Sequence, residues 1–339
     1  MLFRSNDMYE GAWERLLLSL PGQPVDTLTA VSWIQGPRYF VDLRQPHWLR
    51  GKVQAACLAE LGMEDARMLA CQQGFAGTFE LSGDIATWVR SIDFQPPGYL
   101  GDRGRLEADG ELLIEHGVEA DYIEYWQRGA SADDCHSMGA RFVSDGDGCP
   151  VIVVRYGSRF GYARARTLPV ERNADLAAMI ENTDLAAARA LLDCEIALGR
   201  VTPEGWRIDR SSLPWREGAL VMGADANLEN DCLSVADIDA EGRTFTRVLQ
   251  PADLCGTWNA GYRGPPPAVA VQAARPTENE PFREVPVVDI AALGGADPVA
   301  ERAVIERLRQ AAADVGFFHV TGHGIAPAVI ERVQRAARQ

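Results

Sequence analysis

Through the first 262 residues, apolar and polar positions alternate in short runs. TAVSWIQ, RYFVDLR, GTFELSG, ATWVRSIDF, DYIEYWQR, PVIVVRYG, CEIALGRV and FTRVLQP are rich in β-branched and aromatic side chains, the composition of strands with one buried face. Turn chemistry separates them at short intervals: Asp109-Gly110 in EADGELLI, the DGDG of residues 145–148, and the EG pairs of TPEGWRI and DAEGRTF predict hairpins. One stretch breaks the period of two. In NADLAAMIENTDLAAARALLDC, Leu176, Ile180, Leu191 and Leu192 stand among alanines, which predicts one or two helices. Many antiparallel strands with few helices predict one or two barrels or a sandwich.

After residue 282 the pattern changes. VPVVDI reads as a short strand; Asp297 and Pro298 supply an N-cap and a first-turn proline. Val304, Ile305, Leu308, Ala311, Ala312 and Val315 form one helical stripe closed by Gly316. GFFHV predicts a second strand, Gly322 and Gly324 bracket a turn, and Pro327 opens another helix. Between the two regions lies RGPPPAVAVQAARPTENEPFRE, whose prolines and small polar residues predict an extended linker. The expected division is a first β-barrel over 1–168, a helix and second β-barrel unit over 169–262, the linker over 263–282, and a small α/β segment over 283–339.

Composition narrows the classes of function. A chain of 339 residues with 47% apolar content has material for two domains or more. The formal charge of −15 argues against nucleic acid or an anionic membrane as partner, since both need a positive field. After Phe282, seven arginines balance seven acids, so the whole excess sits on the β-rich region. Seven cysteines, none in a CxxC pair, argue against a zinc ribbon or a disulfide framework. The N-terminus lacks a signal-peptide pattern, and no run approaches the roughly 20 apolar residues of a membrane span; the expectation is a cytoplasmic protein. The sequence does not set the oligomeric state.

The ordered set MYEGAWERLLL, VSWIQGPRYFVDLR, QQGFAGTFE, TWVRSIDFQPP, GVEADYIEYW and CEIALGRV with WRID resembles a lipocalin-like (calycin-type) double β-barrel family of bacteria and fungi. The resemblance covers residues 1–262 and implies a mainly β double barrel with a small-ligand pocket, but no chemistry. In a closed barrel, alternate residues of each strand face the lumen. The candidate lumen residues are Trp33, Asp42 and Arg44, then Trp88, Arg90 and Asp93, and finally Tyr122, Glu124 and Trp126, which sit two apart on one strand face. Aromatic walls with arginine and carboxylates suit a small polar-aromatic or anionic ligand. The same residues equally suit core packing and ion pairs that tie strands together.

VPVVDI, the amphipathic helix, DVGFFHVTGHGI and the next helix opening resemble in order and spacing the N-terminal segment of isopenicillin-N-synthase-type Fe(II)/2-oxoglutarate dioxygenases. The resemblance covers residues 283–339. It implies, for a longer parent, Fe(II) held by an HxD pair and a distant histidine, and 2-oxoglutarate held by an arginine. No HxD occurs in this chain, and the resemblance makes His323 a turn residue and His319 a strand residue, neither an iron ligand. The expectation is therefore the front portion of a longer oxygenase, with no catalytic residue, no metal site and no cofactor of its own. The alternative is a non-enzymatic small-ligand-binding or interaction protein built on the double barrel. Other motifs fail: the DGDG lacks the acid that closes a calcium loop, glycines 98, 101 and 104 lack the spacing of a dinucleotide turn, and no GxSxG, HExxH or Walker loop occurs.

Overall fold

Strand alternation builds two meanders that bury three apolar layers. A computed structural model describes residues 6–109, 112–129, 136–226, 228, 232–256, 258, 261, 286–293, 298–314 and 318–323. The chain divides into two compact units, Met1–Val269 and Ala270–Gln339; the expected linker lies outside the described residues.

In the first unit β1 (Gly11–Ser19), β2 (Ala30–Gln35), β3 (Tyr39–Gln45), β4 (Gln73–Ser82), β5 (Ile85–Asp93), β6 (Asp102–Asp109), β7 (Leu112–Gly117) and β8 (Ile123–Arg128) pair in sequence order. β1 also pairs with β8, which closes the barrel and removes its edges. A short helix, α1 (Met63–Leu69), joins β3 to β4. The second sheet runs β9 (Ser137–Ser144), β10 (Pro150–Tyr156), β11 (Arg159–Arg164), β12 (Glu195–Thr202), β13 (Gly205–Ser211), β14 (Leu220–Gly223), β15 (Leu233–Ile238) and β16 (Thr244–Gly256), with α2 (Leu176–Glu181) and α3 (Leu185–Leu192) between β11 and β12. β16 returns to pair with β9, while β14 and β15 touch without a hydrogen-bonded ladder, leaving this barrel nearly closed. The protein is mainly β, an antiparallel double barrel with a small α/β segment after it.

The expected boundary at residue 168 is corrected by this pairing. β9, β10 and β11 belong to the second sheet, so the change of barrel falls between Arg128 and Ser137. The sequence pointed to 168 because the helical break is conspicuous, yet α2 and α3 are a detour between neighbouring strands, each capped by an aspartate, Asp175 and Asp184.

Three layers of core follow from alternation. Trp13, Val31, Trp33, Phe40 and Phe75 fill the first barrel. Phe142, Val151, Val153, Phe160 and Trp206 fill the second. The intervening residues Ile34, Tyr39, Val41 and Leu43, with Ile152, Val154, Ile196 and Leu198, form a third core between the barrels. β3 and β10 are thus buried on both faces, which is why YFVDL and PVIVV read as nearly unbroken apolar runs. The close approach uses Gly161, where a Cβ would press into the side chain of Val41.

In the second unit β17 (Val287–Asp289) pairs in parallel with β18 (His319–Thr321), and α4 (Pro298–Asp314) lies between them in sequence. Val288, Val304 and Ala311 form its core with Leu308 and Phe318. Ile305, expected on the buried stripe, is 52% exposed, because this small unit covers a stripe only about one residue wide around Val304, Leu308 and Ala311. Asp297, Gly316, Gly324 and the helix expected from Pro327 lie outside the described residues.

Candidate functional site

The first lumen is a stack of rings with a charged end. Trp33 lies at its centre, with ring centroids 6.0 Å from Trp13, 6.0 Å from Phe79, 5.5 Å from Trp88 and 5.9 Å from Trp126. Tilted and edge-on contacts of this kind contribute beyond the buried area itself. The indole N–H of Trp33 donates to Gln35 Oε1 (3.2 Å), and that of Trp126 to Glu115 Oε2 (3.1 Å).

Beyond the rings, charged side chains from six strands converge. Arg44 Nε donates to Asp42 Oδ1 (2.9 Å), and its Nη1 lies 3.5 Å from Glu124 Oε1. Arg15 bridges Glu124 and Asp26, at 2.7 Å each. Arg44 and Arg90 both lie over the ring of Phe75, at 5.0 and 3.5 Å from its centroid, favourable cation–π placements. Arg90 also pairs with Asp102 (2.5 Å) and Asp93 (3.5 Å). A shift of register between Ala76 and Gly77 opposite Ile92 and Arg90 lets two residues three apart, Arg90 and Asp93, meet at the same end.

Glu115 differs from its neighbours. It stands opposite Glu124 on the adjacent strand and, among the described residues, takes hydrogen bonds from neutral donors, Tyr122 Oη (2.6 Å) and Trp126 Nε1. Burial, and then the charge of Glu124, push its carboxyl up to about 8, so it holds its proton at neutral pH. Burial also raises Asp42, against the pull of Arg44. Carboxylates outnumber guanidinium groups here, and Arg15, Arg44 and Arg90 are each paired with an acid.

Of the candidates named from sequence, Trp33, Asp42, Arg44, Trp88 and Trp126 line one residual void, joined by Phe75, Asp102 and Glu115. Tyr122 and Glu124 touch the same cluster through Glu115, Arg15 and Arg44; Arg90 and Asp93 form its outer rim. The void is about 10 Å³, the space of roughly one water. Side chains fill this lumen, and a ligand would have to displace them. Arg15, Phe75, Asp102 and Glu115 were not among the sequence candidates. Glu115 follows Leu113 by two in LLIEHG, and Arg15 follows Trp13 by two in GAWER, so the alternation that identified Glu124 was available for both.

The second barrel carries its own buried charges. Glu195 accepts from Arg216 (3.0 Å), Asp237 from Arg247 (2.8 Å), and Asp193 from Arg164 (2.6 Å). Asp147 of the DGDG turn pairs with Arg247 and accepts from the backbone N–H of Cys149 (3.0 Å), a turn contact. None of these was marked in the sequence.

In the second unit, His319 faces solvent on β18 and pairs in register with Val287, while His323 is half-buried beyond the turn. Gly322 has φ +68°, and a Cβ there would collide with the Asp289 carboxylate, which accepts from the backbone N–H of Ala291 (3.0 Å). The aspartate of VVDI and the glycine of TGHG thus meet at the same end of the paired strands. Among the described residues no three His, Cys, Asp or Glu side chains come together in a way that could hold a metal ion.

A family model described as the N-terminal region of non-haem dioxygenases in morphine synthesis matches residues 285–339. The tail is a dioxygenase N-terminal segment. The match spans that segment and leaves the double barrel unassigned. No curated protein matched the chain. Among solved structures, the crystal structure of the uncharacterized protein YLR301w from Saccharomyces cerevisiae is similar over 72% of this chain and 98% of that one, at 10% identity and a TM-score of 0.41. No helix among the described residues is long and apolar enough to cross a membrane.

Proposed function

We propose that the protein joins a double-barrel module to an oxygenase of the Fe(II)/2-oxoglutarate class whose catalytic residues are not among these 339. The observation that carries this reading is the dioxygenase N-terminal match over 285–339, in a segment that folds as strand, helix and parallel strand around its own small core. An iron centre of that class requires two histidines and a carboxylate with open positions beside them. The donor set here does not fit: the sequence has no HxD, and His319 and His323, a strand and a turn residue, belong to no group of three metal-binding side chains among the described residues. No step is therefore assigned to this chain. Reading the gene past codon 339 tests the proposal. An in-frame HxD, a later histidine and an arginine for the co-substrate support it; an immediate stop overturns it.

The second reading is a binding protein in which the barrels are the functional unit. It is favoured by an opening of about 690 Å³ beside the contact between the barrels, against about 10 Å³ inside the first lumen. Under this reading ligand recognition takes place outside the lumen, in a fixed groove between two packed cores. In both readings the cytoplasm is the proposed location.

A further inference from the structure

The opening between the barrels falls in the volume range of small-molecule sites, roughly 300–1,000 Å³. Arg210, at the end of β13, lies on its floor and reaches across to the first barrel. It donates from Nε to Gln45 Oε1 (3.0 Å), from Nη1 to Ser32 Oγ (2.8 Å) and from Nη2 to the carbonyl of Ala30 (2.8 Å). All three acceptors are neutral, and Arg210 forms no ion pair among the described residues. A guanidinium has five N–H donors, so these bonds leave part of its fork uncommitted.

Four other arginines with little exposure are compensated differently. Arg44, Arg164, Arg216 and Arg247 are held above the usual range by paired carboxylates. Arg210 is pushed the other way, because burial outweighs the pull of Glu14, Asp42 and Glu217. An under-compensated cation beside a cavity attracts an anion.

The surroundings strengthen this charge. Arg50 is exposed on the same wall and forms no ion pair among the described residues. Arg200 and Asp209 neutralise one another through a bidentate pair, and burial raises the carboxyl of Glu217. Even with Glu217 ionised, Arg50, Arg200 and Arg210 exceed Asp209 and Glu217 by one charge along the groove, in a chain of net charge −15. Leu49 and Val53, each 6% exposed, contribute an apolar edge to its wall.

We propose that the groove between the barrels binds a small amphipathic carboxylate, its head on Arg210 and Arg50 and its hydrocarbon or aryl body along Leu49 and Val53. A bidentate guanidinium–carboxylate pair fixes the head, and the apolar wall selects for the body. The inference concerns the first unit only and stands apart from the oxygenase reading.

Calorimetric titration of the full chain with octanoate tests it, with octanol and inorganic phosphate as comparison ligands. Octanoate is expected to bind at one site, more weakly as salt is raised, and the other two much less tightly. Arg210→Gln is expected to weaken octanoate by about tenfold or more. Because Arg210 also links the barrels, Arg50→Glu provides the second arm: Arg50 is exposed and forms no ion pair among the described residues, and reversing its charge is expected to weaken octanoate by about tenfold while the melting temperature stays put. Binding unaffected by Arg50→Glu, octanol or phosphate binding as well as octanoate, or no octanoate binding at all would each overturn the proposal.

Discussion

Glu115 titrates inside a packed barrel, and its position sets the sign of a pH effect. In the unfolded chain its carboxyl has its ordinary value of 4.5, and in the folded barrel about 8. The folded state therefore keeps a proton that the unfolded state releases. The stability linked to this group is complete below 4.5 and is lost as pH rises through about 8. Glu115→Gln, which keeps a neutral partner for Trp126 and Tyr122, is expected to be less pH-sensitive than the parent across that window in thermal unfolding; parallel curves for the two proteins would refute the assignment. Trp33 tests packing at the same scale. Trp33→Ala is expected to cost about 3–5 kcal/mol in urea unfolding, whereas Trp48→Ala, at a site 42% exposed, should stay within about 0.5 kcal/mol. Asp42, Arg44, Glu124 and the tryptophans were legible as inward residues because each sits in a clear alternating run. Arg15 and Glu115 are less legible because GAWERLLLS reads as a leucine run and EADGELLI as a turn. The contact between Arg15 and Glu124 spans 109 positions, and only closure of the barrel makes them neighbours.

At the scale of elements, strands were easier to place than their partners. The runs VSWIQ, YFVDLR and PVIVVRY became β2, β3 and β10, since β-branched and aromatic residues in a period of two have few alternatives. β1, β14 and the two-turn helix α1 are not marked by the sequence pattern; each is too short or too mixed to show a period by itself. The three-core arrangement makes a prediction that the strand pattern alone does not. Gly161 lies against Val41 across the inter-barrel contact, so Gly161→Ala is expected to cost about 1–3 kcal/mol by overpacking. Adding Val41→Ala should recover part of that loss; strictly additive costs in a double-mutant cycle would show that the two do not press on one another. In the tail, the stripe from Val304 to Ala311 was readable as an α-helix, while the exposure of Ile305 reflects how little core so short a unit has to cover.

Across the whole molecule the two barrels repeat one topology. Each is an eight-strand meander whose last strand returns to its first, and each gathers arginines and carboxylates at buried positions. Such clusters do not by themselves add stability, since the desolvation of each charge offsets its pairing; they fix which strands meet. The sequence division failed at 168 because helices α2 and α3 interrupt the second meander after three strands, and no composition shift marks the true change of barrel near residue 130. In the sequence a proline-rich stretch and a change from period two to a helical period separate the first region from the tail. The tail carries the dioxygenase-type pattern while the sequence has no HxD pair. Anaerobic calorimetric titration of the 339-residue protein with Fe(II) in the presence of 2-oxoglutarate tests most directly for an iron site in this chain. The expected result is no stoichiometric heat of binding, and a saturable one-to-one site that is lost in His319→Ala or His323→Ala would contradict it.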